Sequence, residues 1–445
     1  PVNPTADSKI LQGVTTEIIG HCGFTAAPVL PGKVGLLSDY LSSLAGPVQF
    51  RESTFAEYMD SFKAMSVNAG MLIGYNTIRL MVMGMESRPP NAVEMAQLVE
   101  LLEEGLKAGA LGLSAGLFTT PGSYAQRDDL ITLGHVLRKH NAGYFLHLRD
   151  ESHGVIESVQ EVLDIAETCD VHVQICHFKC SGIDSWGKAD RIIEMIVDAK
   201  ARGVQVDLDL YPYTAALNPL RNLLPLWSQA GGTDAMCERL RDPKVRQQIR
   251  DEIERVGLTN FGRIPSWDAV QLSTSPSLAE HAGKSIGLLA KERDIDPLDL
   301  VCDTLIADRC ATLIIIFSIA EEDIRRLLAS PFALVGSDGM CYSTCGPTAK
   351  GSPHPRYFGT FPRVLGYYSG ELGVLSLERA VHKMTGASAD AMRLADRGYL
   401  RPGMRADITI FDPADFRDLA TYDKPFQYPS GTRNTVLVNG EIVVR

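Results

Sequence analysis

Four short apolar runs along this chain each stop at a residue able to bind a metal or carry a proton. TEIIG runs into His21 and Cys22, YFLHL carries His147, VQICH ends on His177 and FALVGSD ends on Asp338. Unbroken Val/Ile/Leu runs mark parallel strands buried on both faces, whereas strands with one wet face alternate. Amphipathic segments lie between the runs. The clearest is NAVEMAQLVELLEEGLKAG, with apolar residues at helical spacing and Gly109 as its C-terminal stop. Thr54 and Glu57 have the spacing of a capping box for the helix through FAEYMDSFKAM. Strands that alternate with helices predict a parallel sheet with crossover helices, an α/β fold. The strands fall at 16–20, 71–75, 111–115, 144–148, 173–177, 206–212 and 332–338, one short of a (β/α)8 TIM-type barrel. Two further apolar stretches, 268–273 and 312–317, read as insertion or extra strands.

The domain plan follows from the same pattern. Residues 1–396 read as the barrel that carries these strand ends, with 218–265 as an insertion near its mouth. From 397 to 445 the pattern changes to short alternating strands with Gly, Pro and Asn turns, ending in the Asn439-Gly440 hairpin signal. So few strands need partners to be stable.

Charge and cysteine content exclude several classes. A formal charge of −11 disfavours nucleic acid or an anionic membrane surface, and points to a small-molecule substrate. The densest apolar stretch, ATLIIIFSIA, is half the length of a membrane span. Nine cysteines without regular spacing, and no signal-like start, suggest a reduced cytoplasmic setting. Cys341 and Cys345 read as ordinary loop thiols.

In a barrel of parallel strands the C-terminal strand ends converge on one mouth, where catalysis sits. Cys22, His147 and His177 meeting there with Asp338 make a zinc-hydrolase constellation. A lone buried histidine is usually inert; two at successive strand ends, followed by an Asp at a later one, are a site. His21 competes with Cys22, but neighbours on a strand face opposite ways, so one of them enters the mouth. Arg149 and Lys179 each lie two residues beyond a histidine, and Lys179 shares the face of His177 if the strand persists. Tyr211 and Tyr213 close the strand before the insertion. Arg356 sits in a Pro-framed loop, SPHPRYFGTFPR, and with Lys179 suggests a carboxylate-bearing substrate. His354 reads as a surface loop residue.

The segments LQGVTTEIIGHCG, AGALGLSAGL, HLRDES, CHFK, LDLYPYTA, VGSDG, HPRYFGTFPRVLG, KMTG and RGYLRPGMRADITIFDP…VLVNG together resemble the D-aminoacylases, the N-acyl-D-amino-acid deacylases of the amidohydrolase superfamily. The resemblance implies a zinc held by Cys22, His147 and His177, with Asp338 as the acid-base residue. It also implies substrate-carboxylate contacts from Lys179, Tyr211 and Arg356. It further implies a barrel carrying a small β-sandwich, to which the C-terminal strands contribute. The family opens with sandwich strands and a first barrel strand ending in His-X-His; none of the ten histidines here forms that pair. The expectation is therefore the family fold without its opening segment. Tyr75 replaces a usual His, and Leu217 lies near a usual substrate-contacting Ser, with Asn218 a substitute. Two other readings stand beside the deacylase. One is a cyclic-amide hydrolase of dihydroorotase or hydantoinase type; the other is a truncated non-catalytic paralogue.

Overall fold

The apolar runs form the strands expected of them in the computed structural model, which describes residues 2–44, 48–431 and 434–445. In chain order the first are β1 (Thr16–Ile19), β2 (Asn68–Met71), β3 (Ile73–Gly74), β4 (Gly112–Gly116), β5 (Gly143–His147), β6 (Val173–Ile175) and β7 (Val206–Leu210). Then come β8 (Ala215–Pro219), β9 (Val270–Thr274) and β10 (Leu313–Phe317). Last are β11 (Ala333–Val335), β12 (Ile408–Ile410), β13 (Thr435–Val438) and β14 (Glu441–Val444). Strands β3, β4, β5, β6, β7 and β11 pair in that order, all parallel, and β1 pairs parallel with β2. β2 and β3 are one strand broken at Leu72, whose N–H donates to the Ile19 carbonyl at 2.9 Å. The strands therefore run side by side from β1 to β11 as most of a (β/α)8 barrel. Among the described residues none pairs the outer edge of β1 or of β11.

Crossover helices cover the outside of this sheet. The helix Ala92–Lys107 begins at Asn91, whose side chain accepts from the N–H groups of Val93 and Glu94, while Glu94 reaches back to the Asn91 N–H. Thr54 and Glu57 make the same reciprocal pair for the helix Phe55–Asp60. Leu130, Leu133 and Leu137 on one helix, and Val159, Val162 and Leu163 on the next, bury their side chains against Tyr144, Leu146, Val173 and Ile175. Each such side chain contributes about 1.5–3 kcal/mol relative to exposure.

The excursion at the barrel mouth has a core of its own. β10 lies between β8 and β9, antiparallel to both, so the stretches at 268–273 and 312–317 belong to this unit. Its core joins Leu220, Leu240, Leu258, Val270, Ile314 and Ile316 among others, and so spans more than 218–265. The Pro and Gly content marks the middle of the unit, while its sheet is built from strands far apart in sequence.

The C-terminal strands form one antiparallel sheet, β12-β13-β14. Asn439 and Gly440 make its turn with φ of 52° and 88°, the backbone a two-residue hairpin requires. Val436 and Val438 pack on Ala6, Ile10 and Val67, and the Thr409 hydroxyl donates to the Gly13 carbonyl at 2.7 Å. One side of this sheet thus packs on the short helix Asp7–Ile10 and its surroundings, while Ile410, Ile442 and Val443 stay exposed. Among the described residues, no helix is long and apolar enough to cross a membrane.

Candidate active site

Each expected site residue sits at the end of a parallel strand or just beyond it. His147 is the last residue of β5, His177 lies two residues past β6, Tyr211 follows β7, and Asp338 lies three residues past β11. Cys22 lies three residues past β1. The backbone turns sharply at three of these positions, with φ of 55° at Cys22, 35° at His177 and 43° at Asp338. Non-glycine residues rarely occupy this left-handed region, and such strain concentrates at functional sites. For His177 the support is visible: Asp209 accepts its N–H at 2.8 Å, and the Asp209 carbonyl accepts the Phe178 N–H at 2.7 Å.

One ligand atom each from Cys22, His147 and His177 lies within 4.8 Å of the others. The Cys22 sulfur is 2.9 Å from His177 Nε2, and the two imidazoles meet edge to face at 4.2 Å. A thiol and two imidazoles at this spacing suit zinc, and leave a fourth position open to the cavity. His21 does not join them. Its ring packs edge-on against Phe145, with Nδ1 3.4 Å from the Cys176 sulfur. Arg149 also turns away, to Glu161 and to the carbonyls of Ser123 and Ala125.

Opposite the ligands, the buried Arg356 guanidinium pairs with the partly exposed Asp338 carboxylate at 2.8 Å. Burial works against the charged carboxylate, yet Arg356, together with His177 and Lys179, holds the Asp338 pKa below its ordinary value. The guanidinium lies 4.5 Å over the Tyr211 ring. Its Nε and Nη1 are buried without an acceptor, beside the buried Tyr211 hydroxyl. Buried donors of this kind carry a cost unless something accepts from them, and a carboxylate is the acceptor that fits a guanidinium fork.

Burial opposes the charged form of both histidines, with opposite outcomes. It pushes His147 down to about 4, against the opposing pull of Glu151. For His177, burial and Lys179 oppose the charged form, but Cys22 and Asp338 outweigh them and raise its pKa well above the ordinary value.

His354 corrects the reading made from its loop. It is completely buried, because its Nε2 donates to the Ala215 carbonyl and its Nδ1 accepts the Arg356 N–H at 3.0 Å. Burial, then the Arg356 charge, drives its pKa well below the usual range, so it stands neutral and ties β8 to the start of the helix Arg356–Arg363. Glu151 and Asn260 also escape sequence reasoning. Glu151 looks like part of a solvated charged loop, RDES, but is 1% exposed and accepts from Lys179 at 2.6 Å. Phe118, another unmarked residue, stacks on His147 at 4.2 Å.

These groups line a cavity of about 1030 Å³ that reaches from the Cys22 cluster to the open edges of β1 and β11. Leu217 lines it, as do Phe24, Leu41, Leu44, Phe118 and Met340. Three cations line it among the described residues, and each faces a carboxylate: Lys179 with Glu151, Arg356 with Asp338, Arg397 with Asp407.

The chain is similar to known proteins. The description "Amidohydrolase family" belongs to a family model that matches residues 229–444. A D-aminoacylase of Alcaligenes xylosoxydans xylosoxydans is 33% identical over 97% of this chain and 78% of its own length. An N-acyl-D-aspartate deacylase of the same organism is 32% identical over 99% of this chain and 78% of its own. The crystal structure of an N-acyl-D-glutamate deacylase from Bordetella bronchiseptica, complexed with zinc and a phosphonate mimic of the tetrahedral intermediate, superposes with a TM-score of 0.80. It is 29% identical, covering 99% of this chain and 81% of that one.

Proposed function

The chain belongs to the D-aminoacylase family of amidohydrolases, and on that premise we propose that it is a zinc-dependent hydrolase of N-acyl-D-amino acids, yielding a carboxylate and the free D-amino acid. One observation carries the reading: a Cys22, His147 and His177 donor cluster faces an Asp338–Arg356 pair whose remaining guanidinium donors are unpartnered. Zinc held by those three ligands supplies Lewis-acid polarisation of a carbonyl and lowers the pKa of water.

The protein's own groups do the rest. Arg356 Nε and Nη1 and the Tyr211 hydroxyl bind the α-carboxylate, with Lys179 as a further cation beside them. With the carboxylate fixed on one side and the amide on the other, the wall at Leu217 is the third contact, and only one hand of the α-carbon turns its side chain toward it. Asp338, kept ionised by Arg356, takes the proton of the attacking water. It returns that proton to the leaving nitrogen as the C–N bond breaks. The cyclic-amide reading needs a carboxylated lysine between two metals. Lys179, the strand-end candidate, instead directs its ammonium to Glu151 and to His177 Nδ1 at 2.9 Å.

The side chain of the preferred substrate follows from the charge count. A D-aspartyl or D-glutamyl derivative brings a second carboxylate, and every cation lining the cavity already faces one. Burying an unpaired carboxylate costs several kcal/mol. Leu217, which packs with Leu44 and Met340, offers an apolar wall instead. In a panel of N-acetyl amino acids, kcat/KM is expected to favour D-methionine and D-leucine over D-aspartate and D-glutamate by about 100-fold or more. L-enantiomers should not turn over. Preference for the acidic D-substrates would refute the side-chain assignment, and hydrolysis of L-substrates would refute the carboxylate placement.

A further inference from the structure

The carboxylate that faces both imidazoles is held by the subdomain, not by the barrel alone. Glu151 Oε2 is 3.3 Å from His147 Nε2, and Oε1 is 3.4 Å from His177 Nδ1. For His177 that is the ring nitrogen turned away from the shared position, since its Nε2 faces the Cys22 sulfur. Metal-ligating histidines characteristically give their other ring N–H to a carboxylate, which fixes tautomer and ring orientation. Here Glu151 faces the His147 ring directly and reaches the His177 ring through Lys179, whose ammonium donates both to Glu151 at 2.6 Å and to His177 Nδ1 at 2.9 Å.

What holds Glu151 is Asn260, in the turn that follows the helix Pro243–Val256 of the subdomain. Its side-chain amide donates to Glu151 Oε2 at 3.0 Å, and its carbonyl oxygen accepts the Glu151 N–H at 2.8 Å. An amide is the one side-chain group that meets both demands with a single rigid plane. Asn260 also has φ of 62°, a conformation that Asn tolerates and most residues do not. The turn is pressed close to the barrel loops: a Cβ on Gly182 would stand 2.4 Å from the Phe261 carbonyl oxygen. Phe261 in turn contacts Phe118, the ring stacked on His147.

We infer that Asn260 is a positioning residue of the zinc site, acting through Glu151 on the orientation of His147, His177 and Lys179. The subdomain therefore does more than wall the cavity: its folding completes the metal site. This inference rests on the zinc reading above.

The test compares Asn260→Gly, which keeps the left-handed backbone, with the near-isosteric Glu151→Gln and with the double variant. Zinc affinity is measured by competition with a chromogenic chelator, alongside thermal unfolding of the metal-free proteins. Each single variant is expected to weaken zinc binding by about 10–100-fold. The double variant should bind zinc within about threefold of Glu151→Gln alone, because Asn260 acts through Glu151. Arg263→Gln cuts the exposed Arg263–Asp184 pair (2.7 Å) at the same boundary and should leave zinc affinity unchanged. If Asn260→Gly lowers the unfolding temperature but keeps wild-type zinc affinity, or if the two substitutions are additive, the inference is overturned. A wild-type protein that binds no zinc overturns the underlying reading itself.

Discussion

Asp338→Asn is expected to lower kcat for N-acetyl-D-methionine by about 10²–10⁴-fold, the usual share of a positioned acid-base group. The same variant should still bind about one zinc per chain, because the ligand cluster is Cys22, His147 and His177. The substitution keeps the shape of the side chain and an oxygen that can still accept from Arg356. What it removes is the ability to take a proton from water and to return it to the departing nitrogen. KM should change little, since the carboxylate contacts belong to Arg356 and Tyr211. Normal turnover in Asp338→Asn would show that another group carries the proton. Loss of zinc along with activity would show that Asp338 belongs to the metal site.

Arg356→Gln should raise KM by about 30-fold or more, because truncating the buried partner of a charge pair costs about 2–5 kcal/mol. Arg356 is 2% exposed and both holds Asp338 and presents unpartnered donors to the cavity, so two effects combine. The second is visible in the pH profile. Arg356 is the largest influence holding the Asp338 pKa down against burial, so its removal lets burial raise that pKa. The base works only when ionised. In the wild type it stays ionised below its ordinary pKa, so the acid limb of kcat should lie low; in Arg356→Gln the limb should move toward neutral pH. A variant with higher KM and an unmoved acid limb would separate the guanidinium from the control of Asp338.

Much of this site is legible because parallel strands announce themselves. Unbroken apolar runs locate β1, β5, β6 and β11, and a barrel brings their ends together, so Cys22, His147, His177 and Asp338 can be paired without seeing the fold. Arg356 and Tyr211 depend on Pro-framed loops and on resemblance, since no periodicity says where a loop side chain points. The misses share one cause: burial created by chain from elsewhere. Glu151 belongs to a charged loop until Asn260 and Lys179 enclose it. His354 looks exposed until β8 lies against it, and β8 owes its place to pairing with β10 across the subdomain. Strand alternation required that only one of His21 and Cys22 enter the mouth, and the family resemblance chose Cys22. The left-handed turns at Cys22, His177 and Asp338 left no mark in the sequence, where such turns usually show as Gly or Asn.

The central claim is that one zinc on the Cys22, His147 and His177 cluster supports hydrolysis of N-acyl-D-amino acids by this chain. Its most direct test is to strip the protein of metal and add zinc stepwise. Hydrolysis of N-acetyl-D-methionine is followed at each step. The account predicts no turnover without metal and a rise to a plateau at about one equivalent of zinc. Full activity in the metal-free protein, no activity at any zinc load, or a plateau only at about two equivalents would contradict it.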